Sequence, residues 1–162
     1  MKYLEFKRAS ERHYNTCKFL CEELSKLKDT KDAKKKQLLL HNVYYLSGYI
    51  VETLLSYIFF FSMSYKGEIE KSEHYKNQSF KTHDLNRKLL YVSQIGHCNL
   101  NGIPFLGKKE NISYMNLFNN WSVELRYQEL HTLKNIKYTE ADMRGYIDAI
   151  GNMKCIVLRR FM

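Results

Sequence analysis

Apolar residues recur at intervals of three and four along most of the chain. Tyr14, Cys17, Leu20, Cys21, Leu24 and Leu27 form one such line and predict a first helix over about residues 6 to 28. Asp29 and Thr30 then break the pattern and supply a cap for a second helix that runs to about residue 62. Leu39, Val43, Leu46, Ile50, Leu54 and Ile58 mark one side of it, and Leu40, Tyr44, Val51 and Leu55 form a second stripe beside the first. Two stripes call for more than one packing neighbour. Residues 63 to 81 are polar and aperiodic and predict a long loop. Thr82 caps a third helix with Leu85, Leu89 and Val92 as its buried line, and Gly96 ends it. The segment HCNLNGIPFLGKKEN predicts a second irregular connection, and its glycines and lysines lack the spacing of a phosphate-binding loop. A fourth helix begins near Ser113, with Tyr114, Leu117, Phe118, Trp121 and Leu125 facing inward. Thr139, with Asp142 three residues on, caps a fifth helix lined by Met143, Tyr146, Ile150, Met153 and Val157. No segment alternates strongly with period two. The expected fold is all-α, an up-and-down bundle of four to five helices forming a single domain over residues 1–162.

Composition adds little punctuation: one proline and seven glycines in 162 residues suit long helices. The run VYYLSGYIVETLLSYIFFFSM, residues 43 to 63, has about the length of a membrane span. Glu52 at its centre and its four tyrosines argue for a buried bundle helix instead, with no membrane partner. The net charge of +9 favours an anionic partner, although the block Lys31, Lys34, Lys35 and Lys36 reads as a solvated helix face. Cys17, Cys21, Cys98 and Cys155 form no short-loop framework, and the opening KYLEFKRASER carries no apolar leader, so free thiols in a reducing cytoplasm are expected. His13, Cys17 and Cys21 share one helix face, but structural zinc takes four ligands and no second pair stands at ligand spacing. That stripe reads as core, and neither a metal nor a cofactor is expected.

The order of elements resembles a known family. A helix carrying YYLSGYIVETLL is followed by a loop, by THDL opening a helix, by a variable loop, by a helix ending in W…LRY, and by a last helix after YTEADM. This pattern is similar to the HEPN domain (higher eukaryotes and prokaryotes nucleotide-binding), and it covers about residues 1 to 160. The resemblance implies a helical bundle that forms a homodimer. Its tokens also have a plain physical reading. Gly48 lets another backbone approach a crowded helix. Glu52 in an apolar helix requires a hydrogen-bonding or cationic partner. His83 and Asp84 lie in a first helical turn, where capping and fixing the loop is their expected work.

Many members of the family are metal-independent ribonucleases with an arginine, four to six residues, and a histidine. Arg126 and His131 in RYQELH have that spacing and lie ahead of the last helix, where the resemblance places it. RNA carries its own nucleophile in the 2′-hydroxyl. Histidine exchanges protons near its ordinary pKa of about 6.5, and a guanidinium pairs with phosphate as charge builds. With seven arginines and six histidines the spacing also arises by accident, as Arg8 and His13 demonstrate, so position carries the weight. On one regular helix, residues five apart point roughly 140° from each other. The pair therefore needs a bend or end of the helix, or two chains pooling residues at a dimer interface.

Tyr127 departs from the nuclease members, which place a short polar residue after the arginine. An Arg–Tyr pair is typical of a branch that binds nucleotides or pairs with a nucleotidyltransferase. The first expectation is thus a homodimeric module binding a nucleotide, RNA or a partner protein near Arg126, with Tyr127, Trp121, His83 and Glu52 as ligand-binding residues. The second is a ribonuclease of toxin or phage-defence type, with Arg126 and His131 as its catalytic pair. A structural subunit without a ligand is the third.

Overall fold

A computed structural model describes residues 2–28, 31–76, 80–95, 98–105, 112–128 and 138–162. Among these residues every regular element is helical. In chain order they are α1 (Leu4–Ser25), α2 (Ala33–Ser62), a 3-10 turn (Ile69–Lys71), α3 (Glu73–Lys76), α4 (Leu85–Ser93), α5 (Ile112–Asn119), a second 3-10 turn (Val123–Tyr127) and α6 (Glu140–Arg160). The all-α expectation holds.

The central element is α2. Helices α1, α4 and α6 and the second 3-10 turn all pack against it, α6 also meets α1, and α5 rests on α4 and α6. Both apolar stripes of α2 are thereby used. From Ile50 to Phe60 every residue except Thr53 is buried, and each large apolar side chain so enclosed contributes about 1.5–3 kcal/mol relative to exposure. Length and composition alone would let α2 cross a membrane, but 72% of its apolar window lies inside the protein, as a core helix requires. The stripe of α1 joins the same core: Cys17 and Leu24 are fully buried, the Cys17 thiol donates to the Val43 carbonyl (3.7 Å), and His13 stacks on Tyr49.

Polar groups tie the helices at specific points. The Tyr44 hydroxyl donates to the Leu117 carbonyl (2.8 Å) and links α2 to α5, while the Tyr57 hydroxyl donates to the Phe161 carbonyl beyond α6. Glu140 accepts from Arg144 (2.8 Å) and Lys36 (2.6 Å), and Arg144 also donates to the Cys21 carbonyl (2.6 Å), which joins the ends of α1, α2 and α6. The start of α6 is a complete capping box: the Asp142 amide donates to the Thr139 hydroxyl (3.1 Å) and the Thr139 amide donates to the Asp142 carboxylate (2.9 Å). The inner line Met143, Tyr146, Ile150, Met153 and Val157 is fully buried.

Several boundaries differ from the sequence reading. The N-cap of α2 is Asp32, whose carboxylate accepts from the Lys28 amide (3.2 Å), while Asp29 and Thr30 lie outside the described residues. Asp84 caps α4 through the Arg87 amide (3.0 Å), and Thr82 instead accepts from the Asp84 amide (3.0 Å). Helix α4 closes at Ser93, and Gly96 lies outside the described residues. The loop over 63–81 contains a 3-10 turn and α3, anchored by the buried Ile69 and by Phe80 stacked on Phe59 at 4.2 Å. Single turns such as these carry too few residues to show a period.

The fourth helix was expected to continue through Leu125, but α5 stops at Asn119. The Asn120 side chain folds back to donate to the Asn116 carbonyl (2.8 Å), a local alternative to further helix. Trp121 and Leu125 are still buried as expected, though on a non-helical segment and a 3-10 turn.

Burial dictates how the protein meets alkali. It raises the phenol pKa of Tyr44, Tyr49 and Tyr146, and pushes Tyr138 up to about 12. A raised phenol means the native state holds its proton more tightly than the unfolded chain. The associated stability is complete below pH about 10 and is lost as pH rises toward and beyond 12. The buried tyrosinates should therefore appear in ultraviolet absorbance together with loss of helical dichroism, and not before it. The Cys17 thiol, pushed up to about 12 by burial and by Cys21, and its neighbour Cys21 should resist a thiol reagent that modifies the exposed Cys155.

Candidate functional site

The period of α2 brings Tyr45, Tyr49 and Glu52 to one face, one turn apart. Opposite this face stand the start of α4 and the segment from Asn120 to Tyr127. Glu52 is the electrostatic centre, with its side chain 11% exposed. Its carboxylate accepts from His83 Nδ1 at 3.0 and 3.1 Å and lies 3.6 Å from the Lys88 ammonium. Lys88 is buried as well. It donates to the Ser56 hydroxyl (3.1 Å) and the Phe80 carbonyl (3.1 Å) and sits 4.4 Å from the centre of the Phe80 ring. Two hydrogen bonds and the ion pair to Glu52 thus surround the ammonium. Burial lowers the Lys88 pKa, and the Glu52 carboxylate works against that shift.

Aromatic rings cluster around Tyr49, one turn before Glu52 on α2. Tyr49 lies edge-on to Trp121 (5.3 Å), Tyr45 (5.2 Å) and His83 (6.3 Å), and is stacked by His13 (5.7 Å). Its hydroxyl shares a 3.0 Å hydrogen bond with that of Tyr45. The Tyr49 phenol is raised first by burial, then by Tyr45 and the charge of Glu52, while Arg126 opposes the shift. His13 is lowered by burial and by Arg12, against the pull of Glu52.

The segment carrying Arg126 is held at two points. Trp121 donates from its indole nitrogen to the Tyr45 carbonyl (2.9 Å), and its ring fills the space over Gly48. A Cβ added at Gly48 would lie 1.8 Å from the indole, so glycine is needed there for a side chain to approach, where the sequence had suggested a backbone. Four residues on, His41 Nε2 lies 2.8 Å from the Leu125 carbonyl. A carbonyl only accepts, so Nε2 carries the proton of His41. Between and beyond these anchors the chain displays Glu124, Arg126 and Tyr127 to solvent. The Arg126 guanidinium lies 4.5 Å from the centre of the Tyr127 ring, and Tyr127 is 74% exposed. The Glu124 carboxyl is lowered first by the Ser122 side chain and its own backbone, with further help from Arg126 and His83.

Between the α4 start and this segment runs a cleft of about 470 Å³, lined among others by Thr82, His83, Asp84, Trp121, Ser122 and Glu124. His83 turns Nδ1 inward to Glu52, and its side chain is 55% exposed, so the opposite ring edge with Nε2 meets the cleft.

Glu52 and His83 are in direct contact, Trp121 meets them through the ring of Tyr49, and Arg126 is exposed two residues beyond Glu124 of the cleft lining. Tyr127 is exposed beside Arg126 and is not among the residues lining the cleft. His131 lies outside the described residues. Helix α5 closes at Asn119, so Arg126 lies on the second 3-10 turn and not on a continuation of that helix. His83 does not cap α4; Asp84 does. Lys88, Tyr49 and His41 went unrecognised. For Lys88 a signal existed: it falls between Leu85 and Val92 on the buried line of α4, while Leu89, assigned to that line, is only half-buried. No three His, Cys, Asp or Glu side chains among the described residues are grouped as a metal site would need.

Two substitutions probe this construction. Glu52→Ala strands the Lys88 ammonium in the core and should cost about 3–5 kcal/mol in urea unfolding. Glu52→Gln combined with Lys88→Met should cost clearly less, since neither charge is then left alone. Gly48→Ala forces the indole out of its seat and should lower stability by about 1–3 kcal/mol, with red-shifted emission from the single tryptophan as it meets water.

Comparison with protein-family models, with curated proteins and with solved structures finds no match to this chain.

Proposed function

We propose that the chain is a HEPN-like, homodimeric module that binds RNA or a nucleotide in the cleft between residues 82–86 and 118–124, with Arg126 at its rim. The observation that carries this reading is the pairing of Arg126 with Tyr127: a guanidinium lying over a large, exposed ring, on a turn pinned to the core at Trp121 and Leu125. A guanidinium is a fixed partner for phosphate, and an exposed tyrosine is a stacking surface for a base. The two together suit a ligand with both parts.

The mixed rim supports the same reading. Asp84 and Glu124 stand near His83 and Arg126, so the cleft is not a simple anion trap. Carboxylates accept from the amino and imino groups of bases, while the cations serve phosphate. Inorganic phosphate alone would meet repulsion without that compensation. The net charge of +9 adds a long-range attraction for a polyanion. A partner protein such as a nucleotidyltransferase is the other occupant this surface would take, and RNA would then compete with it. The ribonuclease version built on Arg126 and His131 depends on a residue outside the described ones.

Fluorescence anisotropy with a labelled single-stranded RNA tests the reading. Affinity should fall steeply with salt. Arg126→Ala should reduce the slope of log Kd against log salt by about one, and Tyr127→Ala should weaken binding by about 1–3 kcal/mol. A response indifferent to salt and to Arg126→Ala would remove the phosphate reading. Sedimentation equilibrium should return the mass of a dimer.

A further inference from the structure

We propose that the cleft between the start of α4 and the Asn120–Tyr127 segment reads a base, that the base is guanine, and that Glu124 selects it. This inference rests on the RNA or nucleotide reading above and names the part of the ligand that enters the cleft.

The lining decides what can enter. Among the described residues around the cleft there is no lysine or arginine, while Asp84 and Glu124 each bring a carboxylate. His83 adds a third acceptor. Its Nδ1 faces the two Glu52 oxygens at 3.0 and 3.1 Å, so neutral His83 carries its proton there and Nε2 keeps a lone pair. A phosphate has only acceptors to offer such a wall. It belongs outside, where Arg126 is exposed two residues beyond Glu124. A group rich in N–H donors belongs inside. The Arg126 charge, felt at Glu124, weighs against a donor that is itself a cation and favours a neutral one.

Size and floor fit a single base. The cleft, about 470 Å³, is within the range of roughly 300–1,000 Å³ that takes one small molecule. The buried side chains of Leu85, Phe118 and Trp121 give it apolar surface for a flat ring. Of the four RNA bases, only guanine carries two adjacent donors, its imino and 2-amino groups, and these match the two oxygens of one carboxylate. Adenine and cytosine each present one amino group with a ring acceptor beside it. Uracil presents one imino group between two carbonyls. Each of these three sets a lone pair against a carboxylate oxygen. The amides of Asn86 and Asn119, on the same lining, have donors for the guanine O6 and N7 acceptors.

Glu124 suits the task better than Asp84. The Asp84 carboxylate is committed to the Arg87 amide (3.0 Å) as the cap of α4. Glu124 lies between the two pinned residues Trp121 and Leu125, so its backbone is held in place. Its carboxyl is exposed, and it is lowered first by Ser122 and its own backbone, which also orient it. A carboxylate keeps acceptor sites free after both of these bonds.

The test uses the full chain and five labelled single-stranded RNAs read by anisotropy. The strands hold only adenine, cytosine and uracil, except at one central position that is guanine, inosine, adenine, cytosine or uracil. Wild type should bind the guanine strand at least about tenfold tighter than the adenine, cytosine or uracil strand. Inosine keeps the imino group and lacks the 2-amino group, so its strand should lose most of that advantage. Glu124→Gln replaces two acceptors by one acceptor and one donor. It should bring the five strands within about threefold of one another and leave the thermal unfolding midpoint unchanged. Arg126→Ala should weaken all five alike, because it acts on phosphate. Equal wild-type affinity for the five strands overturns the inference and leaves the binding function standing. So does a guanine preference that survives Glu124→Gln, or an inosine strand bound as tightly as the guanine strand. Displacement of the bound strand by arginine amide in preference to guanosine monophosphate assigns the cleft to a cation and overturns it as well. Binding to none of the strands overturns both readings.

Discussion

A carboxylate in the middle of the most buried helix sets the terms for the rest of the molecule. Glu52 cannot remain ionised inside an apolar bundle unless a cation comes to it. Lys88 supplies the cation from α4, which fixes both the position of α4 along α2 and the rotation of its axis. The ring of Phe80 and the hydroxyl of Ser56 complete the ammonium's surroundings, so the loop before α4 is set by the same demand. His83 enters from the residue before the N-cap of α4 and takes the remaining side of the carboxylate. One costly group thus organises two helices, a loop and the floor of a cleft.

Such a pair adds little net stability compared with well-packed apolar residues of equal size. Its value lies in direction. An apolar pair at these positions would constrain the register between α2 and α4 less than two hydrogen bonds and an ion pair converging on one ammonium. The imidazole inherits that definition, because its orientation is copied from a carboxylate that cannot move.

Much of this was legible in the sequence, and the reason is periodicity. Long helices such as α2 and α6 repeat their apolar positions often enough for noise to average out, and the Thr139–Asp142 cap is a local signature with one geometric solution. The need of Glu52 for a partner was equally readable, because it follows from solvation alone. What could not be read was which cation would answer, since Lys88 is one of many lysines and only its register on α4 marks it out. The end of α5 at Asn119 was hidden for a related reason. Trp121 and Leu125 keep helical spacing and are both buried, yet the first reaches Gly48 and the second reaches His41 by leaving the helix. Spacing reports burial faithfully and path only by implication. His131 belongs to a stretch outside the described residues, so the sequence motif and the described geometry share only its arginine.

The double attachment of the segment carrying Arg126 has a mechanical corollary. Trp121 is clamped against Gly48 and Leu125 is tethered by His41, and both seats belong to α2. The span between them is too short to buckle, and Arg126 follows the second seat directly. The backbone entering Arg126 is thus levelled by α2 itself, and only the side chain projects past it into solvent.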